Sequence, residues 1–146
     1  MSTYHHRQLG TAVLWVLGLT ALLLVLLLYF VGAHPIGTAV LSCLVLCLAV
    51  FATLTVAVTP THIILKFGVG FIRKRFPLRS IRNVRAVRNE WYYGLGIRML
   101  ARGWLYNVSG LDAVELEMTD GNIHRIGTDE PVALLKAIRD ACGVTS

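Results

Sequence analysis

The chain has 146 residues, 55% of them hydrophobic and 15% charged, with a formal net charge of +6 at neutral pH. An average soluble domain is roughly one quarter charged, and here no Lys, Arg, Asp or Glu occurs between Thr11 and Thr59. The length leaves room for about one domain, and three cysteines without a C-x-x-C pair exclude a zinc ribbon or a thioredoxin-like motif.

The first uncharged run, about 10–31, is long enough as a helix to match a hydrocarbon core of about 30 Å. A second follows at about 36–58, and Gly32-Ala33-His34-Pro35 between them breaks the helix in a tight turn. Neither run has a polar face, and their Thr and Ser hydroxyls can bond back to their own helices. The first run exceeds the apolar stretch of a secretory signal. Residues 1–60 are therefore expected to form a two-helix membrane anchor. His5, His6 and Arg7 precede the first span, Lys66, Arg73, Lys74 and Arg75 follow the second, and the turn carries no Lys or Arg. The positive-inside rule then puts both termini in the cytoplasm. On that topology the Asn107-Val108-Ser109 sequon is a chance match. Cys43, Cys47 and Cys142 are expected to be unpaired thiols.

Residues 61–146 change to short β-like runs. Thr61–Phe67, a Gly68-Val69-Gly70 turn and Phe71–Phe76 form a hairpin. Pro77 ends it, and a short bend over Pro77–Ile81 leads into a strand over about Asn83–Asn89. Val114, Leu116 and Met118 alternate with Glu115, Glu117 and Thr119 before the tight Asp120-Gly121 turn, and Asn122–Ile126 returns. A helix over about 129–142 follows, with Thr128 or Asp129 as its cap and Leu134, Leu135 and Ile138 as its apolar stripe.

The segment Phe76-Pro77-Leu78-Arg79-Ser80-Ile81-Arg82-Asn83-Val84 resembles the "P-L-x-x-I-x-x-V" segment of bacterial pleckstrin-homology-like domains. Gly103–Val108 and Asp120–Pro131 are similar to small membrane-anchored members of that group. The resemblance covers about eighty residues plus the anchor. It implies an α+β fold, an antiparallel sheet or partial barrel closed by a C-terminal amphipathic helix, in a multi-pass protein of the bacterial cytoplasmic (inner) membrane. It implies no chemistry.

Ten of the 14 basic residues lie between Lys66 and Arg102, with Glu90 as the one acid among them. Arg73, Lys74, Arg75, Arg79, Arg82, Arg85 and Arg88 are the candidate face for anionic phospholipid headgroups or a partner, since each cation near such a leaflet contributes about 1 kcal/mol. The bland alternative is that they set topology and protect a strand edge. Trp91, Tyr92 and Tyr93 are candidate interface aromatics, whereas Trp104 is expected in the core. Nucleic acid is disfavoured by the tether and the absence of a reading motif. Gly94-x-Gly96 lacks the third glycine and the helix of a dinucleotide site.

No enzyme constellation, cofactor site or metal site is expected. His62 and His124 stand apart from any nucleophile, His5-His6 is a polar tail, and an ionisable group that would mark a transport path is missing from the spans. The expectation is a non-enzymatic anchored module that binds anionic lipid, a membrane-protein partner or a second copy. The alternative is an accessory subunit whose helices pack into a larger membrane complex through small residues such as Gly18, Gly37, Ala39, Ser42 and Cys43.

Overall fold

The computed structural model describes residues 4–143. Three helices, α1 (Thr11–Val31), α2 (Pro35–Phe51) and α3 (Pro131–Cys142), accompany nine strands. These are β1 (Tyr4–Leu9), β2 (Thr53–Val58), β3 (His62–Phe67), β4 (Ile72–Pro77), β5 (Ile81–Arg88), β6 (Gly96–Leu100), β7 (Gly103–Asn107), β8 (Asp112–Met118) and β9 (Ile123–Gly127). The class is α+β.

The helix pair interrupts a sheet. β1 pairs antiparallel with β2 across it, Leu9 opposite Thr53 and Tyr4 opposite Val58. The chain therefore leaves the sheet after Leu9 and re-enters it at Thr53. Two expectations are corrected here. The stretch around His5 and His6, expected as a polar tail, is an edge strand. The second apolar run does not stay helical to Val58: α2 stops at Phe51, and Thr53-Leu54-Thr55-Val56-Ala57-Val58 is strand. Four of these six residues are β-branched, which suits a pleated surface better than a helix. Leu54, Val56 and Val58 accordingly turn inward and are buried.

Of the two helices, α1 alone is long and apolar enough to cross a membrane. Its 21 residues rise about 31 Å, against about 25 Å for the 17 of α2. Two membrane-spanning helices are therefore not supported by length. His34 caps α2 by accepting from the Ile36 amide at 3.3 Å, with Pro35 as its first residue. The Thr20 and Ser42 hydroxyls bond back to the Val16 and Thr38 carbonyls, as the sequence predicts.

β1-β2-β3-β4 form one sheet and β5-β8-β9-β7-β6 a second, facing it. Leu54, Ile63, Leu65, Phe67 and Phe76 from the first sheet pack on Tyr106, Val114, Leu116 and Ile126 from the second. Leu134 and Ile138 of α3 complete the core. The sheets do not close into a barrel, and pairing is antiparallel except between β7 and β9, which run parallel. A hairpin, β6–β7, thus inserts beside β9. The approach is tight at Gly103 (φ 151°), where a Cβ would collide with the Ile123 carbonyl.

The expected hairpins β3–β4 and β8–β9, the bend after Pro77 and the terminal helix all form. Trp104 is corrected: it is 42% exposed, and the core aromatics are instead Phe67, Phe76 and Tyr106. All three cysteines are free thiols.

Candidate functional site at the base of the helices

Strand pairing sets the site. Residues opposite one another in an antiparallel sheet share a face, with Cβ atoms about 5 Å apart. Arg7 is opposite Thr55, Thr55 opposite Lys66, and Lys66 opposite Arg73. These four form a row across the outer face of the first sheet. The next row is His5, Ala57, Ile64 and Arg75. None of the four strands contains an acid. Lys66 and Arg73, like charges directly opposed, cost stability in the free protein. An anion placed over them relieves that cost.

The row stands two residues from the helix end of the sheet, a rise of about 7 Å along a strand. That end is fixed by three backbone contacts. The Gly10 amide donates to the Ala52 carbonyl at 2.7 Å and the Gly68 amide to the Thr53 carbonyl at 2.8 Å. Gly68 (φ 54°) also lies so close to the last turn of α2 that a Cβ would strike the Ala49 carbonyl. The β3–β4 turn is thereby pressed beside the helix terminus with two apolar side chains free, Val69 at 77% and Phe71 at 72% exposure. Arg73 Nε donates to the Gly70 carbonyl at 2.9 Å, which holds the guanidinium at the same tip.

The β7–β8 loop closes the other side of this end. Thr11 and Ser109 hydroxyls meet at 2.8 Å, and Gln8 Nε2 donates to the Ser109 carbonyl at 3.1 Å. Asn107 is buried and its Nδ2 donates to the Gly110 carbonyl at 2.9 Å. It holds the loop rather than presenting an acceptor for a glycan.

The seven basic residues named from the sequence do not form one face. Arg73 and Arg75 join the outer rows, while Lys74 points to the other side of β4, opposite Leu65. Arg79 lies in the turn after Pro77, beside Pro60 and His62 at the far end of the sheet. Arg82, Arg85 and Arg88 are on β5 in the second sheet. Arg85 is engaged: its Nε donates to Glu115 Oε1 at 2.7 Å, and Arg125 Nε donates to Oε2 at 2.7 Å. Burial alone would raise the Glu115 carboxyl, but the Arg125 and Arg85 hydrogen bonds outweigh it and hold the pKa below its ordinary value. Arg7 and Lys66, neither of them among those seven, complete the row. The missed signal was the alternation of β1 and β2, which turns Arg7 outward beside Thr55.

Trp91 and Tyr92, in a turn after β5, are 80% and 63% exposed. Tyr93 folds inward, with the Arg125 guanidinium 5.8 Å from its ring centre. The three aromatics therefore split into two exposed rings and one that covers an ion pair. His124 lies between Phe76 and Tyr106, and burial lowers its pKa, with Asp120 opposing and Lys74 reinforcing. Among the described residues no three His, Cys, Asp or Glu side chains converge as metal ligands would. Comparison of the chain with protein-family models, with curated proteins and with solved structures finds no match.

Proposed function

We propose that the chain is a non-enzymatic, membrane-anchored module of pleckstrin-homology-like type that engages anionic lipid through the helix-proximal face of its β domain. The observation that carries the reading is the acid-free row Arg7–Thr55–Lys66–Arg73, about 7 Å above the base of an apolar helix pair. A cation at that height reaches phosphate headgroups, and each contributes about 1 kcal/mol. Val69 and Phe71 at the β3–β4 tip, with Trp91 and Tyr92, supply the apolar and aromatic groups that favour a membrane–water boundary.

The anchor follows from the same geometry. α1 and α2 start and finish on paired strands, so a crossing by α1 requires α2 to return. Its shortfall of about 5 Å against a 30 Å core is within what local thinning and tilt accommodate. With Arg7 and Lys66 flanking the pair and no Lys or Arg in its turn, the domain and both termini belong on the cytoplasmic side of a bacterial inner membrane. Two sheets packed on a C-terminal helix support the family resemblance, and the parallel β7–β9 pair departs from its simplest form.

The reading of an accessory subunit has one observation in its favour. Gly18 faces open space on α1, where a second helix would approach closely, whereas Gly37 is already covered by Leu28.

The test uses the adjacency of Leu9 and Thr53. An Asn-Gly turn in place of residues 10–52 gives the β domain with α3 but without α1 and α2. Liposome flotation of that folded domain should show binding to anionic but not zwitterionic vesicles, fading with salt. Equal flotation with both lipids, or none with either, would reject the reading.

A further inference from the structure

A groove of about 540 Å³ separates the base of the helix pair from the β6 edge of the domain. Val13 and Leu17 of α1 and Phe51 of α2 form one wall, and Leu95 and Ile97 form the other, with Arg98 as its single charged residue. We propose that this groove holds one anionic phospholipid of the domain-side leaflet, an acyl chain along the helix wall and the phosphate on Arg98. The proposal rests on the anchored reading above and names a discrete ligand site within it.

Three features point to that occupant. The apolar wall lies at bilayer depth: Val13 and Leu17 are one helical turn apart, about 6 Å, within the first 10 Å of a helix that spans about 31 Å. What reaches that depth in a membrane is hydrocarbon. Arg98 is exposed, and its Nε donates to the Leu95 carbonyl at 3.3 Å, which orients the guanidinium at the groove rim and leaves its remaining N–H groups for a phosphate. No acid lines the groove, so a zwitterionic headgroup finds no partner for its cation while an anionic one loses nothing.

A second copy or a partner helix that filled the groove would have to bring its own counter-charge to Arg98, which the groove lining does not supply and an anionic lipid already carries. The basic row on the first sheet is a separate feature. It acts through the summed field of the bilayer surface and screens with salt, whereas the groove selects one molecule.

The experiment is native mass spectrometry of the full chain released from detergent, titrated with phosphatidylglycerol or with phosphatidylcholine of equal chain length. The expected result is a single phosphatidylglycerol adduct, about tenfold favoured over phosphatidylcholine, the scale of a hydrogen bond to a charged group. Arg98→Gln should erase the preference. Val16→Trp, which fills the groove from an exposed helix position without touching the core, should remove both adducts. Arg7→Glu/Lys66→Glu/Arg73→Glu should leave the single adduct in place while weakening bilayer association of the domain. An adduct indifferent to Arg98→Gln and Val16→Trp would overturn the groove assignment, as would a protein dimer in place of lipid. In either case the flotation result is unaffected, so the two proposals fail independently.

Discussion

The Gly10 amide donates to the Ala52 carbonyl across 2.7 Å, so the chain enters and leaves its 43-residue helical excursion (10–52) at a single point on the sheet. The helices are an insertion between β1 and β2 rather than an N-terminal leader to a domain that starts at Thr61. Residues 61–146 alone lack two of the four strands of the first sheet, including the buried Leu54, Val56 and Val58. A fragment cut at residue 61 is therefore expected to aggregate or remain unfolded. The Asn-Gly closure described above should fold, because a two-residue turn suits the antiparallel Leu9–Thr53 pair. Circular dichroism and thermal unfolding of the two proteins check this: a cooperative transition in the closed domain and none in the fragment.

Glu115 predicts an acid limb in the stability profile. Its carboxylate is held below its ordinary value of 4.5 by Arg125 and Arg85, so its contribution is complete above that value and is lost as pH falls through the lowered one. Glu115→Gln should cost about 1.5–3 kcal/mol near neutrality, the range for hydrogen bonds to charged groups. It should also flatten the profile below pH 4.5. A denaturant midpoint measured from pH 7 to 3 tests both parts, and an unchanged acid limb would refute the assignment.

His124 adds a limb at higher pH with the same direction. Burial lowers its folded value below 6.5, so the unfolded chain takes up the proton first and stability falls as pH drops below 6.5. His124→Phe keeps an aromatic ring against Phe76 and Tyr106 and removes the titration. The expected outcome is a variant whose midpoint falls less than the parent's between pH 7 and 5.

Phe67 joins the core to the helices. It is fully buried, with its ring 5.9 Å from Phe51 at the end of α2 and 6.3 Å from Tyr106. Phe67→Ala should destabilise by about 3–5 kcal/mol. Phe71→Ala, four residues away and exposed, should be within about 0.5 kcal/mol of the parent. Comparable losses for the two would contradict the assigned burial.

What the sequence made legible was local. β3–β4 carries a glycine turn between runs rich in β-branched and aromatic residues, β8–β9 one after an alternating run, and α3 one apolar stripe, so each could be placed from its own residues. β2 was hidden because TLTVAV continues an apolar stretch. Hydropathy does not show where a helix becomes a strand, although the concentration of β-branched residues over 53–58 favours one. β1 was hidden because six residues of mixed polarity form a strand only when a distant strand pairs with them. The basic row shares that cause. Arg7 and Arg73 are 66 positions apart and come onto one row through three strand pairings, whereas the run from Arg73 to Arg88, continuous in sequence, is divided between two sheets. Arg85 shows the same lesson: its partner Glu115 is 30 residues away.

The most direct measurement of the central claim is amide hydrogen exchange of the full chain in nanodiscs, anionic against zwitterionic, at low and high salt. A lipid-facing row gives slower exchange over residues 66–74 in anionic discs at low salt, lost at high salt and absent in Lys66→Glu/Arg73→Glu. Identical exchange over those residues in both lipids would contradict it.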